Sequence, residues 1–266
     1  MSVYGLLRET NFKLIKGEVF SVPEKQKIAG KLLSAAGGRD AAERFRKGMK
    51  AFGDGKELYP LFYIPPYNDG KKLRLITGLL PKTHILSSNH YELEILRVLA
   101  MWDGDNPKVR YMLDETLRRL GKACFAHFCA AGECVGAGVA ALRLLSVLKN
   151  RDEKWINEIL LPLISLYKNG SKGMAANNNN VPVFYLYSAL PDIAGESCLK
   201  LIEEKKEWIV RMLTRGNLTG PAVTDTYNVT RLYVLRNALA ALPGYEYLKL
   251  REVYVSGKNN RCYCDV

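Results

Sequence analysis

Four residues with soft or borderline metal-binding side chains crowd one short stretch of this chain. Cys124, His127, Cys129 and Cys134 fall within eleven residues. Thiolate sulfur and imidazole nitrogen are the donors that zinc takes in tetrahedral sites. The cysteines are separated by four residues each, not by the two that usually bring a ligand pair together. Cys262 and Cys264 join such a set only if the C-terminal tail folds back. The same residues also suit a core, since a free cysteine packs as a small hydrophobe. The spacing leaves both readings open.

His90 and Glu94 are a second candidate pair. Four residues apart, they share one face of a helix, and a histidine beside a carboxylate is equipped for general acid–base work. The competing expectation is structural. Asn89 and Glu92 have the spacing of a capping box, so the helix is expected to begin at Asn89, with Glu92 as its cap and Glu94 turned to solvent. Glu133 and Cys134 open the next apolar helix, where the helix dipole favours a carboxylate and activates a thiol. Asn180, Tyr185 and Tyr187 stand at the start of another. Asp225, Tyr227 and Asn228 stand at the start of the last. If these starts face one cavity, His90, Glu94, Glu133, Cys134 and Asp225 are its catalytic candidates. Asn180, Tyr185, Tyr187, Tyr227 and Asn228 are its ligand-binding candidates, because pockets combine apolar walls with a few convergent polar groups.

The elements that must position these residues are helices. Leu96-Arg97-Val98-Leu99 and Leu142-Arg143-Leu144-Leu145 repeat one pattern about 46 positions apart, a period typical of helix-pair arrays. Further units begin near Phe184 and Tyr227. Asn106 and Pro107 start a helix that Gly121 stops. Gly136 and Gly138, followed by Ala140 and Ala141, allow a neighbour to approach closely. One helix spans residues 152–167, kinked at Pro162, and another stops at Pro191. A single helix is expected over residues 196–213, and a last one over 224–242. Residues 22–53 read as two short helices. Residues 58–82, rich in aromatics and proline, read as a connector packed on the body. Helices with apolar residues all round alternate with amphipathic ones, and an all-round apolar helix is a buried helix. The expected fold is all-α: helical hairpins in two concentric layers, α/α-toroid-like, with residues 1–82 packed on a body formed by residues 83–266.

Composition limits the function classes. At 48% hydrophobic residues, 266 residues can bury a sizeable core. No run of about 18 apolar residues is present, so no membrane span is expected. The first twenty residues lack the pattern of a secretory signal, and cytoplasmic location is the expectation. The net charge of +12 is concentrated early, with 16 Lys/Arg against 8 Asp/Glu in residues 1–82. That excess suits nucleic acid or an acidic protein partner, or simply a solvated surface. Phosphate-binding glycine loops, H-E-x-x-H and G-x-S-x-G are all absent. The sequence names no cofactor and does not decide whether the protein is an enzyme.

The stretches NHYELEILRVLAMW, GECVGAGVAALRLL and VPVFYLYSALPDI resemble segments of the α/α-toroid superfamily of terpenoid cyclases and protein prenyltransferases, especially small prokaryotic prenyltransferase-like proteins. The resemblance covers residues 84–243. It implies inner and outer helical layers around a cavity for an apolar, isoprenoid-like small molecule. The chain departs from the family's chemistry. D-x-D-D and D-D-x-x-D are absent, Asp103-Gly104-Asp105 is only a turn, Gln26 is the sole glutamine, and no Asp, Cys and His zinc set aligns. The alternative expectation is a non-catalytic helical scaffold that binds an acidic partner or nucleic acid through its basic first third.

Overall fold

The computed structural model describes residues 1–38, 61–66, 73–81, 84–121, 134–170, 181–215, 226–256 and 261–266. The fold is all-α. The described residues form ten α-helices, α1 (Val3–Lys16), α2 (Val22–Ser34), α3 (His84–Asp103), α4 (Pro107–Leu120), α5 (Cys134–Leu145), α6 (Glu153–Gly170), α7 (Val183–Ile193), α8 (Glu196–Glu204), α9 (Lys206–Arg215) and α10 (Thr226–Leu239). A 3-10 turn, Glu246–Leu250, leads into an antiparallel hairpin of β1 (Val253–Ser256) and β2 (Arg261–Cys264). No helix among the described residues is long and apolar enough to cross a membrane.

Two compact units divide the chain. One comprises Met1–Glu9, Phe20–Leu75 and Leu80–Pro182; the other comprises Thr10–Val19, Ile76–Leu79 and Val183–Val266. In the first unit, α3 is buried from residue 86 to residue 99, and α5 from 135 to 145. The two pack on each other, with α2 and α4 against α3, and α6 against α5. In the second unit, α10 is the central helix, packed on α7, α8, α9 and the hairpin. Each unit thus contains helices buried on all sides, followed in the chain by amphipathic helices with one wet face.

Local chemistry explains most boundaries. The side chain of Asn106 accepts from the Lys108 amide at 3.0 Å, Pro107 occupies the first turn, and Gly121 closes α4. Ser21 and Glu24 form a reciprocal capping box on α2. Helix α1 escaped the sequence reading because its buried stripe of Leu6, Leu7, Thr10, Asn11 and Ile15 is interrupted by two polar residues. Pro191 does not end α7, which continues to Ile193 and stops where Ala194 turns left-handed at φ 53°. The helix expected over residues 196–213 is two helices, broken at Lys205, whose amide bonds back only three residues to Ile202. The second short helix expected after α2 falls outside the described residues.

The largest correction concerns α3. It begins at His84, so Asn89, His90, Glu92 and Glu94 are not a solvent-facing first turn. All four are buried inside the unit. Leu86, two residues into the helix, is buried too. Leu86 sits against Gly136 of α5, where a Cβ would lie 2.7 Å from Leu86 Cδ2 and 2.9 Å from Cδ1. The α3–α5 crossing therefore uses the absent side chain of Gly136. Alanine ordinarily gains about 1 kcal/mol over glycine inside a helix. Overpacking a close crossing costs about 1–3 kcal/mol. Gly136→Ala is expected to lower stability by about 1 kcal/mol in urea unfolding, opposite to the helix-propensity trend.

Candidate functional site

Two helices that should be uniformly apolar carry a group of charged and polar side chains between them. Arg143 of α5 donates through Nε to Glu94 Oε1 at 2.6 Å and through Nη2 to Glu94 Oε2 at 3.3 Å. Both side chains are essentially inaccessible, at 2% and 0% exposure. Glu94 lies one turn after His90 and one turn before Arg97, and both of these are buried as well. All three therefore project from one face of α3. The bidentate fork fixes the guanidinium plane against the carboxylate.

Burial pushes the Glu94 carboxyl up, but Arg143 and Arg97 outweigh it and hold it at about 2. Burial lowers His90 to about 4; Glu94 partly opposes this and Arg143 reinforces it. At neutral pH the cluster thus holds a carboxylate, two arginines and a neutral imidazole in a dry setting. A neutral imidazole can accept a proton at one nitrogen and donate at the other. The arginines can bind an anion or a polar oxygen only insofar as Glu94 shares them.

Glu92, two residues before Glu94, projects on the far side of the helix and has a different environment. Its carboxylate accepts the consecutive amides of Leu61, Phe62 and Tyr63 at 2.7, 3.0 and 3.4 Å. Tyr63 in turn donates its hydroxyl to the Leu32 carbonyl at 3.1 Å, and the Gly37 amide donates to the Phe62 carbonyl at 2.7 Å. Glu92 therefore pins the connector to α3 and does not cap a helix. Asn89, on the same side one turn earlier, is buried, and its Oδ1 has no hydrogen-bond partner among the described residues.

The other candidates are dispersed. Tyr185 and Tyr187 are fully buried in α7, and Tyr187 packs against Trp208 of the amphipathic α9 at 5.8 Å between ring centroids. That contact turns it toward α9. Asn228 accepts from Arg231 Nη1 at 3.1 Å, while Arg231 Nε donates to the Thr77 carbonyl at 2.7 Å. Tyr227 covers Gly78, whose φ of +85° and lack of a Cβ the contact requires. These two predicted ligand residues hold residues 76–79 onto α10. Cys134 is the first residue of α5. Cys124, His127, Cys129, Glu133, Asn180 and Asp225 lie outside the described residues. Among the described residues, no three His, Cys, Asp or Glu side chains are grouped to hold a metal ion. Cys262 and Cys264 are buried on one face of β2, and burial raises both thiols.

Sequence reasoning missed Arg97, Arg143 and the role of Glu92. The signal was present. An arginine inside an all-round apolar helix must be buried, and a buried arginine needs an anion or a set of carbonyl acceptors. Leu235-Arg236 repeats the pair once more. There the buried guanidinium donates to the Lys16 carbonyl at 3.0 Å and the Arg251 carbonyl at 2.6 Å.

The lowered His90 sets an acid dependence. The unfolded chain takes up a proton near 6.5 and the folded chain only near 4. The stability contribution is present above 6.5 and is lost as pH falls through that window, by up to about 3 kcal/mol. His90→Leu is expected to remove this slope from a urea-unfolding series between pH 7 and 4, read as the difference from wild type. No family model, no curated protein and no solved structure matches the chain.

Proposed function

We propose that this protein binds a small molecule among its buried helices, with the His90, Glu94, Arg97 and Arg143 cluster recognising the polar end of a largely apolar ligand. One observation carries the reading: a dry ion pair with a second arginine and a neutral histidine sits on helices whose other buried residues are mostly apolar. A buried ion pair is poor value for stability alone, since well-packed hydrophobic residues often serve as well or better. Pockets with an apolar wall and few convergent polar groups are how proteins orient small ligands. The order of buried helix then amphipathic helix, present in each unit by itself, supports an α/α-toroid-like reading in which the buried helices form the inner layer. An isoprenoid-like compound is the ligand class that this reading favours.

The test is native mass spectrometry of the full chain, with denaturing mass and an organic extract of the same sample. Expected is a stoichiometric non-polypeptide mass under native conditions that disappears on denaturation. His90→Leu, which leaves the ion pair in place, should lower its occupancy severalfold. A bare polypeptide with an empty extract contradicts the proposal. Salt-dependent binding of that bare chain to single-stranded RNA or heparin would instead favour the scaffold reading.

A further inference from the structure

Strand β2 places two thiols side by side on its inner face. Cys262 and Cys264 are 5% and 1% exposed. Tyr263 between them crosses to the outer face and meets Tyr254 of β1 at 5.9 Å between ring centroids. The strand packs on α9 and α10, so the buried thiols lie toward those helices. Two residues of extended strand span about 6.6–6.8 Å, and their side chains run nearly parallel. A disulfide needs Cβ atoms about 3.5–4.5 Å apart, so the strand holds this pair too wide to close one. Staggered rotamers let the two sulfurs lean toward each other, to roughly 4–5 Å. One ion in line between them then makes two bonds of about 2.3 Å.

Beside this face is a buried cation held by neutral oxygens. Arg236 of α10 is 2% exposed. Its guanidinium donates to the Arg251 carbonyl at 2.6 Å, the Lys16 carbonyl at 3.0 Å and Asn237 Oδ1 at 2.8 Å. Among the described residues no carboxylate forms an ion pair with it. Glu252 accepts the Tyr233 hydroxyl and faces Lys16 Nζ at 3.9 Å. Arg251 leads into β1, whose Val253 pairs with Cys264, and the Cys264 thiol acts on Arg236 through space. A buried guanidinium without an anion is costly.

We propose that Cys262 and Cys264 form a two-coordinate site for a soft monovalent ion, cuprous copper, with Arg236 as its countercharge. Binding exchanges two S–H bonds for two S–Cu bonds and releases two protons to solvent, with no change of oxidation state. Two thiolates and one Cu(I) carry a net charge of −1, and Arg236 balances it in a dry setting. Calcium and magnesium need about six or more oxygen ligands, and zinc in structural sites needs about four ligands. Among the described residues no third His, Cys, Asp or Glu joins the pair. Thiolate softness and low coordination number select Cu(I). Burial raises both thiols, while Arg236 opposes the rise at Cys264. Both sulfurs therefore keep their protons at neutral pH until the metal displaces them. The site is independent of the cluster on α3 and α5.

The experiment is anaerobic titration of the reduced full chain with Cu(I) against the chelator bicinchoninate. Copper-edge X-ray absorption is then read on the one-to-one complex. Expected are one Cu(I) with two sulfur neighbours and two protons released per ion. Cys262→Ser and Cys264→Ser should each abolish competition with the chelator. Serine in place of Cys124, Cys129 and Cys134 together should leave binding intact, with folding checked by circular dichroism. Arg236→Gln should weaken binding about 10–100-fold, and Arg236→Lys should keep most of it. Should the Arg236 variants not fold, the nearly isosteric cysteine variants and the proton count decide. No competition with the chelator would overturn the proposal. So would copper that survives either single serine change, copper lost from the folded triple variant, a third sulfur neighbour, or fewer than two protons released. A folded Arg236→Gln variant with wild-type affinity would overturn the countercharge.

Discussion

A carboxylate and a guanidinium taken wholly out of water must find each other, and in this protein that requirement joins α3 to α5. Glu94 and Arg143, 49 residues apart in sequence, come from different helices and meet in a two-point contact. Over residues 86–99 and 135–145 the two helices are buried on every side, so neither has a wet face there to which a misplaced charge could retreat. The pair therefore fixes the rotation of both helices about their axes, while Gly136 against Leu86 sets their distance. Hydrophobic packing is permissive about rotation; a buried ion pair is not. His90 and Arg97 share the Glu94 face, so the register that pairs the charges also assembles the candidate site.

Two glutamates on one helix show how strongly surroundings decide chemistry. Glu94, held by Arg143 and Arg97 against the effect of burial, stays ionised at any ordinary pH. Glu92 takes three backbone amides in place of an ion-pair partner, and burial pushes its carboxyl up while those amides and Arg119 oppose the rise. Helix periodicity makes the difference possible, since two residues along a helix is more than half a turn around it. One side of α3 faces α5 and its arginine. The other faces the connector and its backbone.

Much of the architecture was legible because helices announce themselves through periodicity and caps. The Asn106–Pro107 start and Gly121 stop of α4 were readable from residue types, and so was the alternation of buried with amphipathic helices. The start of α3 was not. Ser87, Ser88, Asn89 and His90 look like the polar approach to a helix, and only tertiary burial reveals them as its interior. Helix α1 was hidden for the same reason, with Thr10 and Asn11 standing in its buried stripe. The site was half legible. His90 and Glu94 were paired by their spacing, but the competing expectation turned Glu94 to solvent, and Arg143 was read only as part of a repeat. Spacing within one helix is local information. The partner of a buried charge is a long-range fact that one sequence does not display.

The most direct measurement of the central claim is a double-mutant cycle on Glu94→Leu and Arg143→Met in urea unfolding. Each single change leaves a buried charge uncompensated and should cost about 3–5 kcal/mol. If the pair sets the register of α3 and α5, the double variant should recover most of that loss, with a coupling of several kcal/mol. Additive losses with no coupling would contradict the account, because they would mean that the two charges do not depend on one another in the folded protein.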